Sequence, residues 1–496
     1  MNIKYILVID QGTTSTRAII FNQLAEIIAS SQLELTQLYP NDGWIEHNPE
    51  EIWETVYQTV KGVLNKADLT IKDILSIGIT NQRETTVLWD KVSGKVVYNA
   101  IVWQSRQSQT ICEEWIEAGY EKIVKEKTGL IINPYFSSSK IKWILDFVPG
   151  VRNKAERGEI LFGTIDSYLV WKLTEGKVHI TDYTNASRTM IFNITTLDWD
   201  DDLLKLFNIP KSILPSLCSN SEIIGNATCF DKKVEVPIAS IIGDQQSALF
   251  GQCCFNKGDV KSTYGTGCFI LMNTLNEVIA SQFGLLTTIA WVINQKVDYA
   301  LEGSVFIGGS AIQWLRDGLH FFKKSCDCEK YISQYNVSNG IYVVPAFVGL
   351  GAPHWDNDVR GTIFGITRST TREHLIAGVL EGIAFQVMDV MEVMKKEAKV
   401  NTTYLGVDGG AAINNYLMQF QADLLDVKLI RPYCLETTAL GTMYLAGLTM
   451  GLFKNLDEIK KKHRVEQVFI RHMDDFERQK RITGWEKAVQ ATKVFK

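Results

Sequence analysis

The residues from Ile6 to Phe21 read I-L-V-I-D-Q-G-T-T-S-T-R-A-I-I-F, a polar stretch of one glycine and several hydroxyls between two β-branched apolar runs. Gly12 can adopt backbone angles that turn successive N–H groups into an anion-binding nest, and Thr13, Thr14 and Ser15 add hydroxyl donors. Arg17 supplies a permanent positive charge, and Asp10 a carboxylate able to hold a hydrated divalent cation. Together these groups suit a polyphosphate and its metal; a tight turn with a surface Asp and Arg would use the same residues. A second segment, Asp259 to Phe269 (D-V-K-S-T-Y-G-T-G-C-F), repeats the pattern of an extended run entering a Gly/Thr turn, here Gly265-Thr266-Gly267. A third, Tyr404 to Asn415 (Y-L-G-V-D-G-G-A-A-I-N-N), breaks at Gly409-Gly410, where a flat base or ribose could approach the backbone. No Gly-Lys-Ser/Thr occurs, so none is a Walker loop, and Asp408 to Asn414 lacks the Rossmann glycine spacing.

A different set of residues suits a small polyhydroxylated acceptor. The apolar run Ile74 to Thr80 ends in Asn81-Gln82-Arg83-Glu84, and polar groups just past a strand's carboxyl end are where open α/β sheets bind ligands. Arg83 beside Glu84 offers donors and acceptors together, as a polyol requires, although a surface ion pair in a turn would look the same. Asp244 follows the apolar run Ile238 to Ile242 and precedes a helical stretch beginning Gln245-Gln246. It can be a base, or a helix N-cap whose backbone hydrogen bonds would weaken it as one. Trp103, Tyr135 and Phe269 are core residues by default, and by chemistry also candidates for an aromatic wall against a carbon chain. Gly309 and Gln313 lie where Gly308-Gly309-Ser310 enters a helix.

Several elements must position these groups. Two hairpins, one opening each half, suggest a duplicated architecture closing over one nucleotide. Asn48-Pro49-Glu50-Glu51 predicts a helix start with Asn48 as cap and Glu51 completing a capping box, followed by an apolar face at Ile52, Val56, Val60, Val63 and Leu64. Glycines at 243 and 251 suggest a hinge with backbone freedom. From Glu373 to about Lys396 a long helix is expected, with its apolar stripe (Leu375, Val379, Gly382, Ile383, Val387, Val390, Met391, Met394) on one side as core packing. Beyond Leu448 the chain turns polar, and Lys460-Lys461-Lys462 reads as a solvated helix face.

With 496 residues the chain fits two domains, and 46% apolar with 22% charged residues places it among globular proteins. A net charge of -5 argues against a broad nucleic-acid-binding face. The nine cysteines show no C-x-x-C pair, so reduced, mostly buried thiols are expected. No apolar run reaches membrane-spanning length and a strand is under way by Tyr5, so no membrane insertion and a cytoplasmic location are expected.

The first hairpin, Gly265-Thr266-Gly267 and Asp408 to Asn414 resemble the two phosphate motifs and the adenosine motif of the actin, Hsp70 and sugar-kinase superfamily. Within it the chain resembles the carbohydrate kinases, and among these the glycerol kinases. That likeness rests on N-Q-R-E-T at Asn81 to Thr85, G-D-Q-Q at Gly243 to Gln246, and P-A-F-V-G-L-G-A-P-H-W-D at Pro345 to Asp356, and it runs from about Tyr5 to about Leu448. It departs from the family's signatures at Phe147, where a polar group is expected, and at Gly378, where Ala or Ser is usual.

The resemblance implies an α/β fold of two duplicated actin-like ATPase (ribonuclease-H-like) domains, residues 1–250 and 251–496, with a cleft between them. It implies ATP with its phosphates against Thr13, Thr14, Ser15 and Thr266, charge offset by Arg17 and by Mg2+ linked to Asp10, and the rest of the nucleotide beside Gly309, Gln313, Gly410 and Asn414. Glycerol would be held by Arg83, Glu84, Tyr135, Asp244 and Gln245, with Trp103 and Phe269 against its carbons, and Asp244 would be the general base in forming glycerol 3-phosphate. A related pentulose or polyol kinase would share the nucleotide motifs without Arg83-Glu84 and Trp103 together; an actin- or Hsp70-type ATPase would leave those residues unexplained. The family also implies a homodimer. Asn226 to Lys233 lacks the Gly pair and Arg by which some family members bind fructose 1,6-bisphosphate, so control by it is expected to be weak or absent.

Overall fold

Each Gly/Thr hairpin opens a sheet, and the two sheets share one strand pattern. The structure, a computed structural model, describes residues 4–332, 340–356 and 358–495. The first sheet comprises β1 (Tyr5–Gln11), β2 (Ser15–Asn22), β3 (Ile27–Glu34), β4 (Ile74–Asn81), β5 (Gly225–Ala227) and β6 (Val236–Gly243), in the order β3-β2-β1-β4-β6-β5. β1 to β3 are antiparallel, β1, β4 and β6 run parallel, and β5 closes the edge antiparallel. The second sheet comprises β7 (Val260–Tyr264), β8 (Cys268–Leu275), β9 (Leu286–Ile293), β10 (Lys296–Val305), β11 (Tyr404–Asp408), β12 (Lys428–Pro432) and β13 (Val465–Phe469). Its order, β9-β10-β8-β7-β11-β12-β13, repeats the same antiparallel and parallel sequence with β9 added at one edge. The duplicated α/β architecture expected from the hairpins is therefore present.

The helices that matter for the site are α1 (Pro49–Lys66), α2 (Ser137–Phe147), α3 (Asp244–Gly251), α4 (Gly309–Asp317), α5 (Arg372–Ala398), α6 (Asn415–Leu425), α7 (Thr437–Thr449) and α8 (Asp475–Val494). Alternation along β1 and β2 divides their apolar residues between two cores. Leu7, Ile9, Ala18 and Ile20 meet Ile52, Val56, Val60 and Val63 of α1. Ile6, Val8, Ile19 and Phe21 face the other way, onto a cluster with Leu249 of α3, Met443 of α7 and Leu271 of the second sheet. That cluster ties the two halves together.

Asn48 caps α1, accepting from the Glu50 N–H at 3.0 Å, but Glu51 does not complete a capping box. Its carboxylate accepts from the Thr36 N–H instead, at 3.0 Å, because the chain leaving β3 runs past the first turn of the helix. The glycines of the expected hinge also have packing roles. Gly243 sits at φ -62° and ψ 147°, ordinary extended backbone, and a Cβ there would press on the Arg83 side chain. A Cβ at Gly251 would overlap the Thr437 carbonyl, and one at Gly441 the Ser247 carbonyl. Gly251 and Gly441 thus allow α3 and α7 to cross with backbones touching.

α5 is buried on more than the one side expected of it. Every residue from Ile376 to Met388 is buried. The added cover is α8, whose Trp485 stacks on Phe385 with ring centroids 5.0 Å apart, and α6, whose Tyr416 hydroxyl donates to Glu381 at 2.6 Å. The polar segment after Leu448 thus ends in a helix that completes the second core. Lys460 to Lys462 lie in the last turn of a short helix, Leu456–Lys462. Phe147 projects from the end of α2 and stacks on Trp143, and a Cβ at Gly378 would crowd Ile341.

All nine cysteines are free, six of them buried, so no covalent link competes with packing. Among the described residues no helix is long and apolar enough to cross a membrane.

Candidate active site

Strand register assembles the site. In the first sheet Gln11 aligns with Asn81, and Asn81 with Gly243, so the residues following these three strand ends, Gly12, Gln82 and Asp244, emerge side by side. In the second sheet Thr263 aligns with Asp408, which brings the Gly265–Gly267 turn next to Gly409-Gly410. Segments far apart in the chain meet at the carboxyl ends of parallel strands, the usual location of ligand sites in open sheets.

The nucleotide-type residues of the second half line one cleft of about 440 Å³ that includes Thr266, Gly309, Gln313, Gly410 and Asn414. The Thr266 carbonyl accepts from the Gly308 and Ser310 N–H groups at 2.8 and 3.1 Å, and Gly309 N–H donates to Gly265 at 2.8 Å, fastening the start of α4 to the hairpin. Asn414 caps α6, its Oδ1 accepting from Leu417 N–H at 2.9 Å, so the carbonyl end of that amide is already engaged. Cys326, Cys328 and Glu329 also line this cleft, and nothing in their sequence context marked them.

On the first hairpin, Gly12 N–H donates to the Ser15 carbonyl at 2.9 Å, closing the turn that carries Thr13 and Thr14. Ser15 opens β2. The Thr13 hydroxyl accepts from the Trp103 indole N–H at 2.9 Å, joining the phosphate-type loop to the aromatic residues. Asp10 and Arg17 face each other across β1 and β2, but the Arg17 guanidinium donates to Glu436 at 2.6 Å and Gln32 at 2.9 Å. Its charge is therefore shared with a carboxylate of the second half. Burial pushes the Asp10 carboxyl up to about 7, Arg17 opposes the shift, and Glu436 and Asp244 add to it.

The acceptor-type residues form a buried charge cluster. Arg83 grips Glu302 with both terminal nitrogens, at 2.7 and 2.9 Å, and its Nε lies 3.4 Å from Asp244 Oδ1. Glu84, held at φ 59°, accepts from Arg188 Nε at 2.6 Å, and Arg188 Nη2 reaches Glu302 at 3.2 Å. Trp103 packs against Tyr135 and Phe269, with ring centroids 5.4 and 6.3 Å away, and the Tyr135 hydroxyl lies 3.5 Å from Arg83 Nη2. The Lys261 ammonium donates to Gln245 Oε1 and to Thr263 Oγ1. All seven acceptor-site candidates, Arg83, Glu84, Trp103, Tyr135, Asp244, Gln245 and Phe269, thus belong to one connected group. Arg188, Lys261 and Glu302 belong to it as well and escaped the sequence reading.

Burial and charge act in opposite directions here. Burial raises the Asp244 carboxyl above its ordinary range, and Arg83 and Lys261 only partly offset it. Asp244 is not the N-cap of α3, a place Gly243 takes, and among the described residues its carboxylate accepts a hydrogen bond only from the adjacent Gln245 N–H, at 2.7 Å, beside the Arg83 ion pair. The expected competition between capping and basicity therefore does not arise. Glu302 and Glu84 both touch Arg188 yet shift oppositely. Burial raises both, but two guanidiniums grip Glu302 and bring it down to about 2, whereas Glu84 has one close partner and stays raised. Burial lowers the Lys261 ammonium to about 8.

The model of the FGGY family of carbohydrate kinases matches this chain with its N-terminal domain over residues 5–251 and its C-terminal domain over 260–450. The glycerol kinase of Bacillus licheniformis is 55% identical over 496 residues, covering 99% of this chain and 100% of its own length. The solved structure of Plasmodium falciparum glycerol kinase with ADP has a TM-score of 0.94 at 37% identity, covering 99% of this chain and 98% of that one. Gluconate kinase from Lactobacillus acidophilus, 23% identical, shares the fold over 100% of both chains with a TM-score of 0.88.

Proposed function

The chain belongs to the FGGY family of carbohydrate kinases, and within it we propose that the cleft carries ATP-dependent phosphorylation of glycerol to sn-glycerol 3-phosphate. The observation that carries the acceptor assignment is the buried cluster in which Arg83, Glu84 and Asp244 lie beside the Trp103, Tyr135 and Phe269 rings. A three-carbon polyol needs such a pairing: rings against its carbons, and donors with acceptors for its hydroxyls.

In this reading residues 1–250 and 251–496 are two lobes closing on the substrates. The phosphates lie against Thr13, Thr14, Ser15 and Thr266, with Arg17 nearby, and the rest of the nucleotide borders Gly309, Gln313, Gly410 and Asn414. Trp103 donating to Thr13 leaves that hydroxyl proton free to point at phosphate oxygens. Arg83, Glu84, Tyr135, Asp244 and Gln245 hold glycerol. As a primary hydroxyl oxygen attacks the γ-phosphorus in line, Asp244 takes its proton, the bond to the bridging oxygen breaks, and ADP leaves. A raised, sparsely bonded carboxylate suits that role. Asp10 also fits a magnesium ion held through water, since burial without a directly bonded cation disfavours its ionised form. Such an ion supplies neutralisation of phosphate charge.

The product tests the assignment: a dehydrogenase specific for sn-glycerol 3-phosphate should consume all of it, and a product it cannot oxidise would contradict the regiochemistry. The pH dependence adds a second check. Asp244 and Glu84, both raised by burial, must be ionised, so kcat/KM for glycerol falls as pH drops through their raised values. Only an ammonium has the three N–H groups to serve Gln245 Oε1, Thr263 Oγ1 and the Phe269 carbonyl together, so activity also falls as pH rises through about 8. Lys261→Met should lose the basic limb of this bell; a basic limb surviving in the variant rules Lys261 out as its source.

A further inference from the structure

Arg188 has no counterpart among the substrate-type residues, yet it is fully buried at the centre of the charge cluster. Resting on the glycerol reading above, we propose that Arg188 is the positioning residue that sets the pocket for a polyol, by orienting Glu84 directly and Arg83 through Glu302.

The geometry forms a chain of alternating charge. Glu84 accepts from Arg188 at 2.6 Å, Arg188 reaches Glu302 at 3.2 Å, and Glu302 takes both terminal nitrogens of Arg83. Glu84 occupies the left-handed region at φ 59°, uncommon for a glutamate, with its carbonyl anchored by the Ser137 hydroxyl at 3.0 Å. A side chain thrown out from such a backbone needs an external partner to fix its direction, and Arg188 is that partner. Arg188 is in turn placed by the one-turn helix Tyr183–Ala186, which latches onto both strand ends that carry the site. Asn185 exchanges hydrogen bonds with Asn81 at 3.0 and 3.1 Å, and Thr184 Oγ1 accepts from Gly243 N–H at 2.8 Å.

Stability alone does not account for this arginine. Its Nη1 is buried without an acceptor among the described residues, while its guanidinium lies over the Tyr135 and Phe136 rings, 5.4 and 5.1 Å from their centroids. A buried pair with an unsatisfied donor is weak as a stabilising device and is often replaceable by apolar side chains. Its geometry instead constrains three acceptor-site residues at once: Glu84, Arg83 and the Tyr135 ring.

The test compares Arg188→Met and Arg188→Lys with the wild-type protein, using Mg-ATP and glycerol from acid to alkaline pH, with thermal melts as a folding control. Arg188→Met should raise the glycerol KM roughly 10- to 100-fold, the effect of an unpaired charge-assisted hydrogen bond, while the ATP KM stays within about twofold. Glu84 is faced by Arg83, Arg188, Glu302, Tyr135 and Lys140. Losing Arg188 removes its close counter-ion, so it protonates at higher pH, and the acid limb of kcat/KM for glycerol should move upward. Arg188→Lys keeps the charge but cannot span both carboxylates; it should raise the glycerol KM and leave the acid limb in place. An unchanged glycerol KM and acid limb in folded Arg188→Met overturns the proposal, as does an equal rise in the ATP and glycerol KM values. Should the Met variant fail to fold, a wild-type glycerol KM in Arg188→Lys overturns it. Failure of the glycerol reading itself is separate and visible in the wild-type protein, as ADP release that glycerol does not stimulate.

Discussion

Asp244→Asn is expected to lower kcat for glycerol by about 10²- to 10⁴-fold, the usual contribution of a positioned general base, while leaving nucleotide affinity nearly unchanged. The amide is isosteric and can still accept from the Gln245 N–H, so the start of α3 should keep its shape. What disappears is the site that receives the hydroxyl proton. Arg83 loses a partner at 3.4 Å but keeps both contacts to Glu302, so glycerol binding should weaken far less than turnover. ADP affinity by calorimetry, together with kcat, separates the two effects. A variant that turns over normally removes Asp244 as the base; one that loses ADP binding in parallel indicates a structural role.

The second large effect is expected at Glu302. Its carboxylate comes from β10 of the second half and binds Arg83 and Arg188 of the first, so it is a buried ionic link between the halves. Glu302→Ala leaves two buried guanidiniums without their shared counter-ion, and breaking such pairs from one side costs about 3–5 kcal/mol. Denaturant unfolding should show a loss of that order, accompanied by weaker glycerol binding. The ordinary Glu value is 4.5 and the folded value about 2, so the stabilisation from ionised Glu302 is complete above about 4.5 and disappears as pH falls toward about 2. The stability difference between wild type and Glu302→Ala should narrow over that window. A variant as stable as wild type at pH 7 would show that apolar packing, not this link, holds the halves in register.

What could be read from the chain alone follows from how locally each feature is encoded. The hairpins at Gly12 and Gly265 are contiguous: apolar runs, a Gly/Thr turn and the next strand occupy one stretch, and the structure forms both. Arg83 and Glu84 were legible because they follow directly on an apolar strand. Arg188 and Glu302 were not, since they lie 104 and 219 residues from the partners they bind, and their proximity exists only once the two sheets are docked. A weaker signal was available. Lys261 and Glu302 each stand as the one charge in a short stretch, Val260–Tyr264 and residues 299–305, and a fully buried charge in such a run requires a partner. The packing role of Gly251 was hidden for a related reason, because close contact between α3 and α7 is a property of two segments nearly two hundred residues apart. The same holds for α5, whose outer side looks available for solvent until α8 is packed on it.

Whether the Arg83–Glu84–Asp244 cluster takes glycerol as phosphoryl acceptor is decided by ADP release from the purified protein with Mg-ATP, comparing glycerol with xylulose, ribulose, gluconate, erythritol and no acceptor. Strong stimulation by glycerol and little by the longer polyols is the expected result. Stimulation by a pentulose or gluconate in preference to glycerol, or release independent of any acceptor, would contradict it.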